Sequence, residues 1–100
     1  MAGVASIFDR AFEEVDLIER HIEMLKVTKE KQPIGIIKLS EVLGIPKHKV
    51  RYSLRLLEQE GLIIATNDGA MVSDKYEEFM EEVSVRFDEL IERINKIKQK

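Results

Sequence analysis

The sequence predicts a mainly α-helical protein with one small β-hairpin, and three observations carry that expectation. Long amphipathic stretches occupy both ends. Glycine and proline divide the middle into two shorter helical segments. Two short apolar runs then flank Asn67-Asp68-Gly69. One hundred residues is the size of a single compact domain, and a chain that is 44% hydrophobic can bury a core. The expected organisation is one domain over 1–100. An amphipathic helix fills 1–32, two short helices and the hairpin fill 33–72, and a closing helix fills 73–100.

In the first stretch Val4, Phe8, Ala11, Val15, Ile18, Ile22 and Leu25 recur at alternating spacings of four and three. That rhythm lays them on one helical face, widened by Ile7 and Phe12. Pro33 ends the helix, because the residue before proline is pushed out of helical geometry. Ile36, Leu39, Val42 and Leu43 then give a short apolar face, opened at Gly35 and stopped at Gly44. Ile45-Pro46 is a tight link, and Pro46 suits the first position of a new helix. That helix spans Lys47 to Glu60, with Val50, Leu54 and Leu57 on one face and Gly61 as its stop.

Leu62-Ile63-Ile64 and Ala70-Met71-Val72 read as two strands around an Asn67-Asp68-Gly69 turn, where Asn and Gly tolerate positive φ. Ser73 or Asp74 is placed to cap the closing helix, and Asp74 with Glu77 has capping-box spacing. In that helix Tyr76, Met80, Val83, Phe87, Leu90, Ile94 and Ile97 again alternate four and three. Running from Asp74 to Lys100 it would be roughly 40 Å long. A 100-residue globule has a radius of gyration of only about 13 Å, so this helix calls for a partner helix.

There is no cysteine, hence no disulfide or thiolate metal site. That composition fits a reducing cytoplasm. No apolar run approaches the roughly 20 residues that span a bilayer. Asp9, Arg10, Glu13 and Glu14 break any signal-peptide pattern. Charged residues reach 35% and net charge is -3, which argues against indiscriminate polyanion binding. The distribution is more informative than the sum. Residues 1–32 carry five basic and seven acidic groups, and residues 74–100 carry six and eight; Lys47 to Arg55 holds four basic groups and no acid.

Subtracting the buried face of that third segment leaves Lys47, His48, Lys49, Arg51, Tyr52, Ser53 and Arg55 outward. Lys and Arg neutralise phosphates, and Arg can pair bidentately with guanine. Tyr52 and Ser53 can donate to phosphate or meet base edges, and the helix N-terminus attracts a phosphate. His48 is a surface residue or phosphate donor rather than a metal ligand, since no second His or Cys is near. His21 flanks the apolar seam and reads as structural. Lys38 either touches the DNA backbone or is simply solvated.

The run Leu39-Ser40-Glu41-Val42-Leu43-Gly44-Ile45-Pro46, continued to Leu57-Glu58-Gln59-Glu60-Gly61-Leu62-Ile63, resembles the winged helix-turn-helix regulators common in archaea and bacteria. The likeness covers roughly residues 16 to 72 and leaves both terminal helices outside the shared pattern. It implies a winged helix-turn-helix, to which the apolar periodicity adds long N- and C-terminal amphipathic helices. Ser40 would take the small-residue position where the two motif helices cross. Residues 47–60 would be the recognition helix in the major groove of double-stranded DNA. The wing departs from the family's basic tips. It offers Thr66, Asn67 and Asp68, so DNA contact there falls to Asn67 or to Lys75, and Asp68 would repel phosphate.

The terminal rhythm is coiled-coil-like, against the alternative of ordinary packing on the core. A parallel pair of closing helices would set Arg93 against Lys98, and a parallel pair of first helices Glu14 against Glu19. First helix on closing helix brings Glu14 and Glu19 to Arg86 and Arg93, so mixed packing is expected, within or between subunits. An antiparallel pair of closing helices stays open. The packing set is Phe8, Val15, Ile18 and Ile22 with Tyr76, Met80, Val83, Phe87, Leu90, Ile94 and Ile97.

The expected function is therefore a homodimeric transcriptional regulator that reads a palindromic DNA site in the cytoplasm, with no cofactor and no membrane partner. The alternative is a winged-helix protein-interaction module without DNA. An enzyme is disfavoured: there is no Gly-rich phosphate loop and no His–acid pairing at catalytic spacing. Met24, Met80, Phe8, Phe12, Phe79 and Phe87 could line a ligand pocket between the terminal helices, but core packing is the simpler reading.

Overall fold

The structure, a computed structural model, describes residues 2–99, with side chains from Ser6 onward. Val4 of the first apolar stripe and Lys100 at the end of the closing helix lie outside those limits. Six elements follow in order: α1 (Ala2–Lys31), α2 (Ile36–Leu43), α3 (Lys47–Gln59), β1 (Ile63–Thr66), β2 (Gly69–Val72) and α4 (Tyr76–Lys98). The chain is thus mainly helical with one small antiparallel hairpin, as the patterning predicts.

Met24, Leu25, Ile34, Leu39, Val50, Leu57, Leu62, Ile63 and Ala70 form the core, drawing on every element but α4. The turn between α2 and α3 is tied by one residue. Ser40 Oγ donates to the Ile45 carbonyl at 2.6 Å, while the Ser40 carbonyl accepts from Gly44 and Ile45. Gly44 adopts a left-handed φ of 67°, which costs glycine nothing. Pro46 sits one position earlier than expected, as the extended residue just before α3, and its carbonyl accepts from Lys49 and Val50.

The hairpin pairs Ile63 with Val72 through Thr66 with Gly69, leaving Asn67-Asp68 as a two-residue loop. Positive φ falls on Gly69 rather than on Asn67. Thr66 Oγ1 takes over part of the turn, donating to the Gly69 carbonyl at 2.6 Å and accepting from the Asp68 N–H at 3.2 Å. Ile34 forms an unforeseen bridge on the outer side of β2. It exchanges two backbone hydrogen bonds with Ala70, at 3.1 and 2.7 Å, and so bolts the segment ahead of α2 to the sheet. A residue between Pro33 and a helix start carries no strand pattern, so only its tertiary neighbour makes it a bridge.

Two local expectations are corrected. The capping box at Asp74 does not form; α4 begins at Tyr76 behind Lys75, without a side-chain cap. Ser73 is used as a fastener instead, donating from Oγ to the Gly61 carbonyl at 2.7 Å and accepting from the Lys75 N–H. The buried face of α1 is also rotated from the expected stripe. Met24, Leu25 and Thr28 are fully buried, whereas Phe8, Phe12 and Val15 are more than half exposed. The long apolar stripe reaches the core only at its C-terminal end.

The terminal helices extend beyond the core, giving a radius of gyration of 16.0 Å, well above the about 13 Å of a spherical domain. Among the described residues, Tyr76 and Phe79 are the α4 hydrophobics packed on the core, and no residue of α4 is fully buried. Lys29 of α1 meets the start of α4, with Nζ 3.9 Å from Glu77 Oε1 and 5.6 Å from the Tyr76 ring centre. Beyond that point Ile18, His21 and Ile22 of α1 and Phe79, Val83, Phe87 and Leu90 of α4 flank an open groove of about 780 Å3. The expected pairing of Glu14 and Glu19 with Arg86 and Arg93 does not occur within the chain. Arg86 instead meets Glu82 and Glu89 of its own helix, at 3.9 and 3.2 Å.

Candidate nucleic-acid interface

The candidate surface is the outer side of α3. Val50, Ser53 and Leu57 are buried at spacings of three and four, with Leu54 partly buried beside them. These residues hold the helix from behind. Lys47, His48, Lys49, Arg51, Tyr52 and Arg55 are consequently exposed. Among the described residues, ion pairs involve Lys29, Arg86 and Lys96 but none of these four α3 cations. The first carboxylate on the helix is Glu58, so the positive strip is uninterrupted for two turns. Cations held in this state can displace the counterions condensed on a polyanion.

Ser53 does not belong to the outward set. It is fully buried, and its Oγ accepts a hydrogen bond from Arg20 Nε at 3.0 Å. Its place in the helix, three residues after Val50 and four before Leu57, puts it on the inner face; a hydroxyl there survives only because a donor reaches it. The helical period alone could have flagged this, since Ser53 lies between the two strongest buried positions.

Three clefts border the strip. On the α2 side, Lys38 and Glu41 face Lys47 and Arg51 around Gly35–Ile37. On the hairpin side, Asn67 and Asp68 face Arg51, Arg55 and Glu58 across about 530 Å3. On the α1 side, Arg20 joins His48, Lys49, Tyr52 and Arg55. The structure therefore places Lys38 and Asn67 in clefts beside α3, both exposed. Asp68 accompanies Asn67 and keeps that edge mixed in charge.

Sequence reasoning missed Arg20. It is partly buried on α1, four residues before Met24 and eight before Thr28, which are both fully buried. Its guanidinium carbon lies 6.0 Å from the Tyr52 ring centre. The spacing to Met24 was a usable signal, but it was masked by the more regular apolar stripe through Ile18 and Ile22.

His21 titrates below its ordinary value of 6.5 because burial disfavours the imidazolium and because the Arg20 cation repels it. Its Nδ1 is buried without a hydrogen-bond partner among the described residues. Tyr76 is shifted upward, by burial first and then by the Glu77 carboxylate. No three-residue metal-binding cluster is found among the described residues. No described helix is long and apolar enough to cross a membrane.

No protein-family model matches the sequence, and no curated protein matches it either. Among solved structures the chain is similar to the activation domain of the phage T4 transcription factor MotA. The TM-score is 0.59 at 16% sequence identity, over 79% of this chain and 82% of that one. At that identity the likeness is one of fold.

Proposed function

We propose that the protein is a sequence-specific, double-stranded-DNA-binding transcriptional regulator that works as a homodimer, with α3 as the recognition helix of a winged helix-turn-helix. One observation carries this reading: α3 presents Lys47, Lys49, Arg51 and Arg55 to solvent, unpaired, on a helix fixed by Val50 and Leu57 behind it. All four can neutralise phosphates, and the guanidinium groups of Arg51 and Arg55 are in addition suited to bidentate pairing with guanine edges. Lys38 and Asn67 flank the groove contact. The fold likeness to a transcription-factor domain points the same way.

The dimer rests on α4. Amphipathic helices draw most of their stability from packing their apolar face, and this 23-residue helix has no buried residue. Val83, Phe87, Leu90, Ile94 and Ile97 on α4, with Phe8, Val15, Ile18 and Ile22 on α1, form the face that a second copy would cover. Two recognition helices set about one DNA turn apart, roughly 34 Å, would read a palindrome.

Duplex binding measured against salt tests the reading. Four α3 cations per chain, doubled by the dimer, make up to about eight phosphate contacts and a log–log slope near -7. No duplex binding at about 50 mM salt, or a slope near zero, would favour a second reading. In that reading the same fold is a protein-interaction module. It draws support from the structural neighbour, which is an activation domain, and from the open apolar groove between α1 and α4.

A further inference from the structure

We infer that Arg20 is part of the DNA-binding surface: with His48, Lys49, Tyr52 and Arg55 it forms a cleft that takes a backbone phosphodiester at the edge of the major groove. This deepens the proposed function and rests on it, but it turns on a residue outside α3. The residue comes from α1, 33 positions before its hydrogen-bond partner.

Geometry makes the side chain a prepared anion donor. Nε–H is committed to Ser53 Oγ at 3.0 Å, and the guanidinium carbon stands 6.0 Å from the Tyr52 ring centre. These two contacts restrain the planar fork before any ligand arrives. Its Nη groups make no hydrogen bond and no ion pair among the described residues. A planar pair of N–H donors matches two oxygens of one phosphate. Ordering the donor beforehand reduces what must be immobilised on binding.

The surroundings select the anion's approach. The cleft of about 520 Å3 is lined by Arg20, His48, Lys49, Arg51, Tyr52 and Arg55, with no carboxylate among them. On the opposite flank Arg20 borders Asp16, Glu19 and Glu23, beside Leu43 and Ile45. A phosphate arriving from the α3 side meets cations, an imidazole and an aromatic hydroxyl. One arriving from the other side meets three acids. The site thus accepts phosphate in the direction that also seats α3 in the groove. A phosphate contact of this kind positions the protein on the duplex without reading sequence.

Three proteins are compared for duplex binding across a salt series: wild type, Arg20→Gln, and Lys26→Gln as an equal charge change at an exposed α1 position. Arg20→Gln is expected to flatten the log–log slope by about 0.9 per chain and to weaken a specific and a scrambled duplex by the same factor. Lys26→Gln should leave the slope at the wild-type value. Equal slopes for wild type and Arg20→Gln overturn the Arg20 site while leaving the DNA reading intact. Failure of the wild type to bind any duplex overturns the DNA reading and the site with it. A measurement on the unaltered protein covers the case in which Arg20→Gln does not fold. The Arg20 Nε–H resonance should shift on duplex addition together with those of Arg51 and Arg55; movement of those two without Arg20 overturns the site.

Discussion

Arg20 of α1 donates its Nε–H to the buried Oγ of Ser53 on α3 at 3.0 Å, joining two helices that are 33 residues apart at this point. The bond explains two features at once: why a hydroxyl is tolerated at a fully buried position of α3, and why an arginine lies on the inward side of α1. Ser53→Ala is expected to destabilise the fold by about 1.5 kcal/mol, the lower end of the range for a hydrogen bond with a charged partner. A double-mutant cycle with Arg20→Met in urea unfolding should return a coupling of about 1 kcal/mol. Additive losses would mean that the two residues do not support each other.

Arg51→Ala combined with Arg55→Ala removes half of the unpaired cations from the α3 strip. Duplex affinity should collapse, and any residual slope should be flatter by about 1.8 per chain. Thermal unfolding should stay within about 0.5 kcal/mol of wild type, as expected for exposed positions. A large loss of stability would mean that these arginines hold the fold rather than a ligand.

Gly69→Ala should be among the most damaging single-methyl changes in the molecule. A Cβ there would stand 2.7 Å from the backbone N and C of Ile34, at a φ of +135°. Neither the backbone strain of about 1–3 kcal/mol nor the clash can be relieved while the Ile34–Ala70 bridge persists. Gly35→Ala makes the contrast, because nothing lies within 4 Å of its Cβ and its φ of -89° suits any residue. Chemical denaturation of the two variants should therefore separate them by at least about 2 kcal/mol.

Leu90→Glu with Ile94→Glu tests the dimer. Both residues are about half exposed on α4, at 48% and 55%. Wild type is expected to sediment at twice the mass of one chain, and the variant at the mass of one. A monomeric wild type at tens of micromolar would remove the homodimer from the proposal.

Stability should also fall in mild acid through His21. Its pKa is lowered in the folded state, by burial and then by Arg20, from an ordinary 6.5. Between the two values the unfolded chain binds more protons, so the contribution present above about pH 6.5 is lost as pH falls through the lowered folded value. The groove around it also holds Glu60, Lys75, Glu78, Glu82 and Arg86. His21→Leu should flatten the unfolding free energy between pH 7.5 and 5 relative to wild type; an unchanged pH profile would assign the dependence to those other groups.

The helices, the hairpin and the α3 cationic strip were all legible before folding, because each follows from short-range rules. Apolar spacing of three and four marks Val50 and Leu57, Gly44 and Gly61 end helices in left-handed geometry, and the acid-free interval from Lys47 to Arg55 is a matter of composition. What the tertiary structure alone decided was which of several compatible partners each residue met. The apolar stripe of α1 was longer than the core could cover, so Met24 and Thr28 went inside while Phe8 and Val15 stayed out. Ile34 became a sheet rung because Ala70 was brought beside it, and Arg20 reached α3 because Ser53 faced inward. Helical periodicity constrains angles about a single axis; it contains no term for how far apart two axes lie, and that separation is what turned a surface-looking arginine into part of the candidate interface.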